Sequence, residues 1–230
     1  MSTPLLVEPL PGAPLQLWPQ RAAFDPASGS LLIADAHIGK AQSFRRLGVP
    51  VPSGTTAEGL ARLDALLAAT GARRIVFLGD LLHAKRGLAP GVLAQVQAWR
   101  EGHAAIEMTL VRGNHDERAG DPPPALGIAC IDGPLRLGPW ALQHHPEAVP
   151  GAYALAGHVH PCVVLSGRAN DRLRLPCFHF GAQVGVLPAF GGFTGMHALP
   201  RAPEDQVFAV SEDRVLALRP RAASSASGTP

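Results

Sequence analysis

Five short clusters along the chain combine carboxylate, imidazole and amide side chains: Asp35-Ala-His37, Gly79-Asp80-Leu-Leu-His83, Gly113-Asn114-His115-Asp116, His144-His145 and Gly157-His158-Val-His160. Carboxylate oxygen, neutral imidazole nitrogen and amide oxygen together suit a divalent ion such as manganese, iron or zinc, whereas an all-oxygen set would suit magnesium or calcium better. The donors exceed one octahedral shell, and a carboxylate such as that of Asp80 can bridge two ions. The residue types therefore point to a two-metal centre. Taken singly the clusters are weak, since an Asp-X-His at a strand end is often a cap and Gly-Asn supplies positive φ in an ordinary turn. Their conjunction carries the reading.

Clusters so far apart in sequence need elements that aim them at one place. SLLIAD reads as a strand ending at Asp35, RIVFLGD as a buried strand ending at Asp80, and AIEMTLV as a strand just before Arg112 and the Gly-Asn-His-Asp cluster. Between them, TTAEGLARLDALLAATG has Leu60, Leu63 and Leu67 at helical spacing, a capping-box start from Thr55 to Glu58 and a stop at Gly71. PGVLAQVQAWREG is a second helix, with Pro90 near its start and Val92, Val96 and Trp99 on one face. LQLWPQRAAF reads as a strand joined to SLLIAD by a turn in DPASG. Alternating strands and helices imply right-handed crossovers and a largely parallel sheet, and in open α/β sheets the carboxyl ends of neighbouring strands converge on one crevice.

From residue 126 onward only short apolar runs occur, LGIACI, WALQH, YALAG, CVVLSG, RLRLPCFHF, VFAV and RVLAL, so that half is expected to be mainly β. No linker divides the halves. The expectation is one domain over residues 1–220 with two packed sheets, and a small, polar, disordered tail at 221–230. An apolar fraction of 47% in 230 residues is ample for a buried core. The formal net charge of +2 is too small to advertise a nucleic-acid binder, so any basic surface must be local. Cys130, Cys162 and Cys177 lie in apolar runs and read as reduced core residues. The proline-interrupted start and the lack of an 18-residue apolar run suggest a cytoplasmic protein with no membrane partner.

The ordered set D-x-H, G-D-x-x-H, G-N-H-D, H and G-H-x-H, spanning residues 31 to 160, resembles the calcineurin-like metallophosphoesterases. That resemblance implies an α/β fold, a four-layer αββα sandwich of two mixed sheets flanked by helices, with two metal ions between the sheet ends. Within that superfamily DAHIGK, the following FRRLGVPVP and LPCFHFGAQVGVLPAFGGFTG resemble the bacterial ligase-associated DNA damage response phosphoesterases. This likeness implies a manganese-dependent endonuclease acting on single-stranded DNA in repair, associated with an ATP-dependent DNA ligase and a helicase. Iron and zinc are the alternative metals.

Carried over residue by residue, the resemblance implies one ion held by Asp35, His37, Asp80 and His160 and another by Asp80, Asn114, His144 and His158. The superfamily often has His-Gly where this chain has His144-His145-Pro146, so His145 stays open as an alternative to His144. Two dications outweigh the two carboxylates, and neutral Asn114 preserves the surplus positive charge that attracts a phosphate. His115 resembles the family's catalytic histidine and would protonate the leaving oxygen, with Asp116 orienting its imidazole. His103, His179 and His197 lack companions and are assigned to surface or core.

Half of the twenty basic residues lie in or shortly after these clusters: Lys40, Arg45, Arg46, Lys85, Arg86, Arg112, Arg118, Arg168, Arg172 and Arg174. They suggest a basic rim binding a polyanion through its phosphates, with His83, Arg112, Lys40, Arg45 and Arg46 as candidate substrate contacts. Aromatics are 5% of residues, and Phe44, Phe190 and Phe193 are the few expected near the cleft, which argues against extensive base stacking. Two other readings stand beside this one: a phosphodiesterase of cyclic nucleotides or nucleotide conjugates, which a deep, capped pocket would favour, and a non-catalytic scaffold.

Overall fold

The computed structural model describes residues 3–51, 54–82, 89–167 and 171–219, apart from the side chain of Arg46. His83, Lys85, Arg86, Arg168 and the expected tail at 221–230 lie outside them. Strands β1 (Leu5–Leu10), β2 (Ala13–Trp18), β3 (Ala22–Asp25), β4 (Ser30–Ala34), β5 (Arg74–Leu78), β6 (Glu107–Val111) and β7 (Ala129–Ile131) form one sheet in sequence order. Its first four strands pair antiparallel and β4 through β7 pair parallel. LQLWPQRAAF is split between β2 and β3 rather than running as one strand. Pro19 has no N–H for the ladder, and the Arg21 N–H closes a turn on the Trp18 carbonyl at 3.0 Å.

Helices α1 (Lys40–Arg46), α2 (Thr55–Thr70), α3 (Pro90–Gly102) and α4 (Asn114–Ala119) lie among these strands. α2 begins from an N-cap at Gly54, not from a Thr55 capping box, and no side chain caps it. It ends at Gly71 as its spacing predicts. Leu60, Leu63, Leu66 and Leu67 form its buried face, each stabilising by roughly 2 kcal/mol. They pack with Leu31, Ile33, Ile75, Phe77 and Leu110 on one face of the sheet. The alternate residues Leu32, Ala34, Val76 and Leu78 point the other way, into a second core.

That second core is the interface between the sheets. β8 (Leu135–Leu137), β9 (Trp140–Leu142), β10 (Tyr153–Ala156), β11 (Pro161–Ser166), β12 (Arg172–Phe180), β13 (Val184–Val186), β14 (His197–Ala198), β15 (Gln206–Val210) and β16 (Val215–Leu218) form the other, mixed sheet. It supplies Trp140, Leu142, Tyr153, Phe178, Phe180 and Phe208 to the shared core. The chain thus forms the expected α/β sandwich of two mixed sheets. Its flanking helices are few, and among the described residues all fall within 40–126. Cys162 and Cys177 are buried thiols, and burial pushes Cys177 up to about 12, as suits reduced core residues. No described helix is long and apolar enough to cross a membrane.

Candidate metal centre

Asp35 follows β4, Asp80 follows β5 and Asn114 follows β6, so the parallel register that aligns Ala34, Leu78 and Val111 brings these side chains together. The loops after β4 and β5 continue side by side, with the His37 N–H on the Asp80 carbonyl at 2.9 Å and the Ile38 N–H on that of Leu81 at 2.8 Å. From the second sheet, His144 follows β9, and His158 and His160 follow β10. Two crossed bonds dock them on the first sheet: the His158 N–H donates to Asp35 Oδ2 at 2.9 Å, and His144 Nδ1 meets the Leu78 carbonyl at 3.1 Å.

Asp35, His37, Asp80, His158 and His160 all have left-handed backbone, with φ from 45° to 70°. Side-chain-bearing residues rarely adopt it, and each carries strain of order 1 kcal/mol or more. The close packing that holds them there relies on glycine. At Gly79, with φ 77°, an added Cβ would lie 2.1 Å from His144 Nδ1, and at Gly157 it would lie 2.5 Å from Asp35 Oδ2. The glycines of the Gly-Asp and Gly-His clusters are therefore where the loops of one sheet press on those of the other.

Among the described residues three overlapping sets of donor atoms result: Asp35, His37 and His160; Asp35, Asp80 and His144; and His144, His145 and His158. They fall in two groups, one around His37 and His160 and the other around His144. Asp35 Oδ1 and His160 Nε2 are buried 3.4 Å apart, and neither atom has a hydrogen-bond partner among the described residues. His160 Nδ1 lies 3.0 Å from the Gly195 carbonyl, an acceptor that fixes the proton on Nδ1 and leaves Nε2 with its lone pair toward the group. His144 is fixed in the same way by Leu78. Its Nε2 lone pair faces Asn114 Oδ1 at 3.0 Å, His158 Nδ1 at 3.0 Å and Asp80 Oδ1 at 3.5 Å. Carboxylate, imidazole and amide acceptors converge here, and Asp35 Oδ1 and His160 Nε2 are buried without a hydrogen-bond partner among the described residues, so the donor set fits divalent metal ions. Asp80 stands between the groups: Oδ1 faces His144, while Oδ2 lies 3.9 Å from His37 Nε2.

No protein-family model and no curated protein matches the chain. Among solved structures, the crystal structure of the nuclease MPE of Pseudomonas putida is 43% identical, covers 94% of this chain and 100% of its own, and superimposes with a TM-score of 0.82. The chain belongs to the metallophosphoesterase superfamily. A phosphoesterase of E. coli, Yfce, is 15% identical over 84% of this chain and 99% of its own, with a TM-score of 0.39.

His144 and His145 differ in their surroundings in this metallophosphoesterase, although a donor atom of each lies within reach of a common ion with His158. His144 is buried with both ring nitrogens engaged, whereas His145 is exposed and packs its ring on that of His158, with centroids 4.4 Å apart. Desolvation pushes the His158 imidazole below its ordinary value, and His144 and His145 push the same way, which keeps it a neutral donor. His103 stacks on Trp99, buried His179 pairs with Asp205 at 2.8 Å, and His197 is exposed in β14. All three lie outside the donor groups.

His115 sits in the first turn of α4, a short helix where the sequence reads only as a turn. Its backbone N–H donates to Asp80 Oδ1 at 3.0 Å, and its Nε2 lies 3.8 Å from Asp80 Oδ2 with the side chain 34% exposed. Asp116 does not take the expected role of orienting that imidazole. Its Oδ1 accepts the N–H groups of Leu81 and Leu82 at 3.1 and 3.3 Å, and its Oδ2 that of Gly113 at 3.0 Å. As the third residue of α4 it reaches back over the helix start, where buried backbone donors need an acceptor, and clamps the Asp80 loop to α4.

Arg112 is likewise reassigned. It makes a two-pronged pair with Asp121, at 2.7 and 2.8 Å, and a third bond to Asp132 at 2.8 Å, so its guanidinium is committed away from a phosphate. Arg45 bonds Gln42 at 2.7 Å, and Arg174 bonds the Met196 carbonyl. Lys40 remains at the centre: burial pushes its ammonium below the ordinary value while Asp35 and Asp80 pull it back up.

The sequence places Phe190 near the cleft but does not disclose that its segment, Leu187–Gly191, staples the two sheets. The Leu187 N–H bonds the Ala156 carbonyl at 2.8 Å, the Phe190 N–H that of Ala34 at 2.8 Å, and the Gly191 N–H that of Asp35 at 3.0 Å, stapling the ends of β10 and β4 together. The signal for that close approach is Gly191, whose added Cβ would lie 2.5 Å from the Ala36 carbonyl.

Proposed function

We propose that this metallophosphoesterase is a two-metal phosphodiesterase that cuts single-stranded DNA internally, with manganese as the resident ion. The observation that carries it is the placement of Asp80, with one carboxylate oxygen toward each donor group. Asp35, His37, Asp80 and His160 would hold one ion, and Asp80, Asn114, His144 and His158 the other. Mixed oxygen and imidazole donors suit manganese, with iron and zinc as alternatives. Bound there, the ions would polarise a phosphoryl oxygen and acidify the attacking water.

The chain's own residues supply the rest. Asn114 contributes an oxygen without charge, so the centre stays positive toward a phosphate. The Lys40 ammonium, beside Asp35 and Asp80, adds to that attraction. His115, accessible and held near Asp80, donates a proton to the leaving oxygen. Asp116 keeps the Asp80 loop in register. A nucleic-acid substrate is supported by the name of the Pseudomonas putida relative, a nuclease, at 43% identity. By resemblance, an ATP-dependent DNA ligase and a helicase are the expected partners in the cytoplasm.

The test incubates metal-stripped protein, with and without manganese, on circular single-stranded DNA, a cyclic nucleotide and a phosphomonoester, with Asp80→Asn as control. Manganese-dependent linearisation of the circle is expected. Consumption of the cyclic nucleotide alone sinks the DNA reading, and an absence of all turnover revives the scaffold.

A further inference from the structure

Phe193 is 50% exposed and has φ 57°, so a large apolar ring stands in water on a backbone that aromatic residues rarely adopt. The segment before it is tied down by hydrogen bonds. Phe190 is buried, its N–H bonded to the Ala34 carbonyl, its own carbonyl bonded to Arg62 Nη2 at 2.7 Å, and its ring under the Arg62 guanidinium at 4.2 Å. Gly191 is bonded to Asp35. The Phe193 ring is thus presented by the same staple that fixes the metal-centre loops. On one side it borders the small cavity it shares with His37 and Lys40, and on the other an open depression of about 510 Å³ shared with Arg21, Glu58 and Arg62.

The far flank of the metal centre is different. The depression beside His144 and His145 is lined by Glu117, Asp132 and Glu147, and the one arginine that lines it among the described residues, Arg112, is already neutralised by Asp121 and Asp132. A polyanionic strand is repelled there and drawn to the Lys40 side. The cavity between Lys40 and Phe193 is too small to enclose a base, so a base passing that way lies across its mouth, against the ring.

We infer that Phe193 is a stacking platform for one base of the strand, flanking the scissile phosphate on the Lys40 side of the centre. The inference rests on the single-stranded DNA reading. One platform gives a contact of one nucleotide with little base preference, since every base offers a π-face.

The test walks a single abasic residue along an oligothymidylate cut by the native manganese enzyme. An abasic residue at one position next to the cut should lower kcat/KM about tenfold, the scale of losing one base–aromatic contact. Phe193→Ala should show the same loss on the intact strand and no further loss at that position, while Phe193→Trp restores both. In EDTA, fluorescence anisotropy should show Phe193→Ala binding labelled oligothymidylate about five- to tenfold more weakly. Native-like cutting by Phe193→Ala overturns the platform, as does a loss independent of where the abasic residue lies. If the native enzyme leaves circular single-stranded DNA uncut, the DNA reading fails and the platform with it; if it cuts and Phe193→Ala cuts equally well, only the platform fails.

Discussion

The two sheets contribute to the centre in different ways. Asp35, His37, Asp80 and Asn114 follow five-residue strands of a parallel array, and their loops are wired to one another by backbone bonds and by the Asp116 clamp. His144, His158 and His160 follow strands of three and four residues. The first two are held by atoms of the first sheet, Leu78 O for His144 and Asp35 Oδ2 for His158. One half is a scaffold, and the other docks on it. The donors meet at the seam, so removing Asp80, the scaffold carboxylate that faces both groups, should disable both metal positions, and removing a donor that faces one group should disable only one.

Asp80→Ala gives the sharpest break. Removing the carboxylate that faces both groups should release both ions and lower phosphodiester cleavage by at least about 10³-fold, the scale of several kcal/mol of lost charge stabilisation. His160→Ala, on the docked half, should release about one equivalent and keep the ion beside His144. Elemental analysis alongside initial rates checks both; two equivalents retained by Asp80→Ala would exclude its bridging position.

Next in size is His115→Ala, a scaffold-side change that should leave both ions bound. Cleavage of poor leaving groups should fall about 10²- to 10⁴-fold, and that of p-nitrophenyl esters far less, because that leaving group needs no proton. Equal losses on the two substrate types would remove His115 from proton donation.

The same asymmetry governs what the sequence discloses. Asp35 and Asp80 each close a run of β-branched and aliphatic residues, so their position at strand ends can be read directly. The conformation of the ligands cannot: Asp35, His37, Asp80, His158 and His160 sit at positive φ because packing forces them there, not because of their own preference. The partners that fix the imidazole protons are the carbonyls of Leu78 and Gly195, backbone atoms with no sequence signature. Asp116 misleads because a carboxylate next to a catalytic-type histidine reads as its partner, whereas a short buried helix start needs that carboxylate more. The docked half was legible as β only in outline, since β8, β13 and β14 are two- or three-residue strands fixed by pairing alone.

Gly79→Ala tests the seam without touching a donor. Its Cβ would collide with His144 at 2.1 Å, on a backbone at φ 77°, so destabilisation of about 2–4 kcal/mol in metal-free urea unfolding is expected. Gly59→Ala in the middle of α2, where an added Cβ meets nothing within 4 Å, is the control and should stabilise by about 0.5–1 kcal/mol. If Gly79→Ala behaves like Gly59→Ala, the loops of the two sheets are not pressed together.

The smallest effect is expected at Arg112, and its smallness is informative. The residue directly follows β6 on the scaffold side and precedes the Gly-Asn-His-Asp cluster, the place where an arginine would be assumed to grip a phosphate. Its guanidinium is instead shared between Asp121 and Asp132, whose hydrogen bonds raise its pKa further. Reaching a phosphate would mean giving up those bonds, and the acids left behind would repel the same strand. Exposed ion pairs of this kind contribute little, so Arg112→Gln should change kcat/KM on single-stranded DNA by less than about threefold. Lys40→Gln, on the opposite flank, should raise KM and flatten its dependence on salt, because it removes a cation that faces the phosphate path. A loss at Arg112 as large as that at Lys40 would mean that the strand runs over both flanks of the centre.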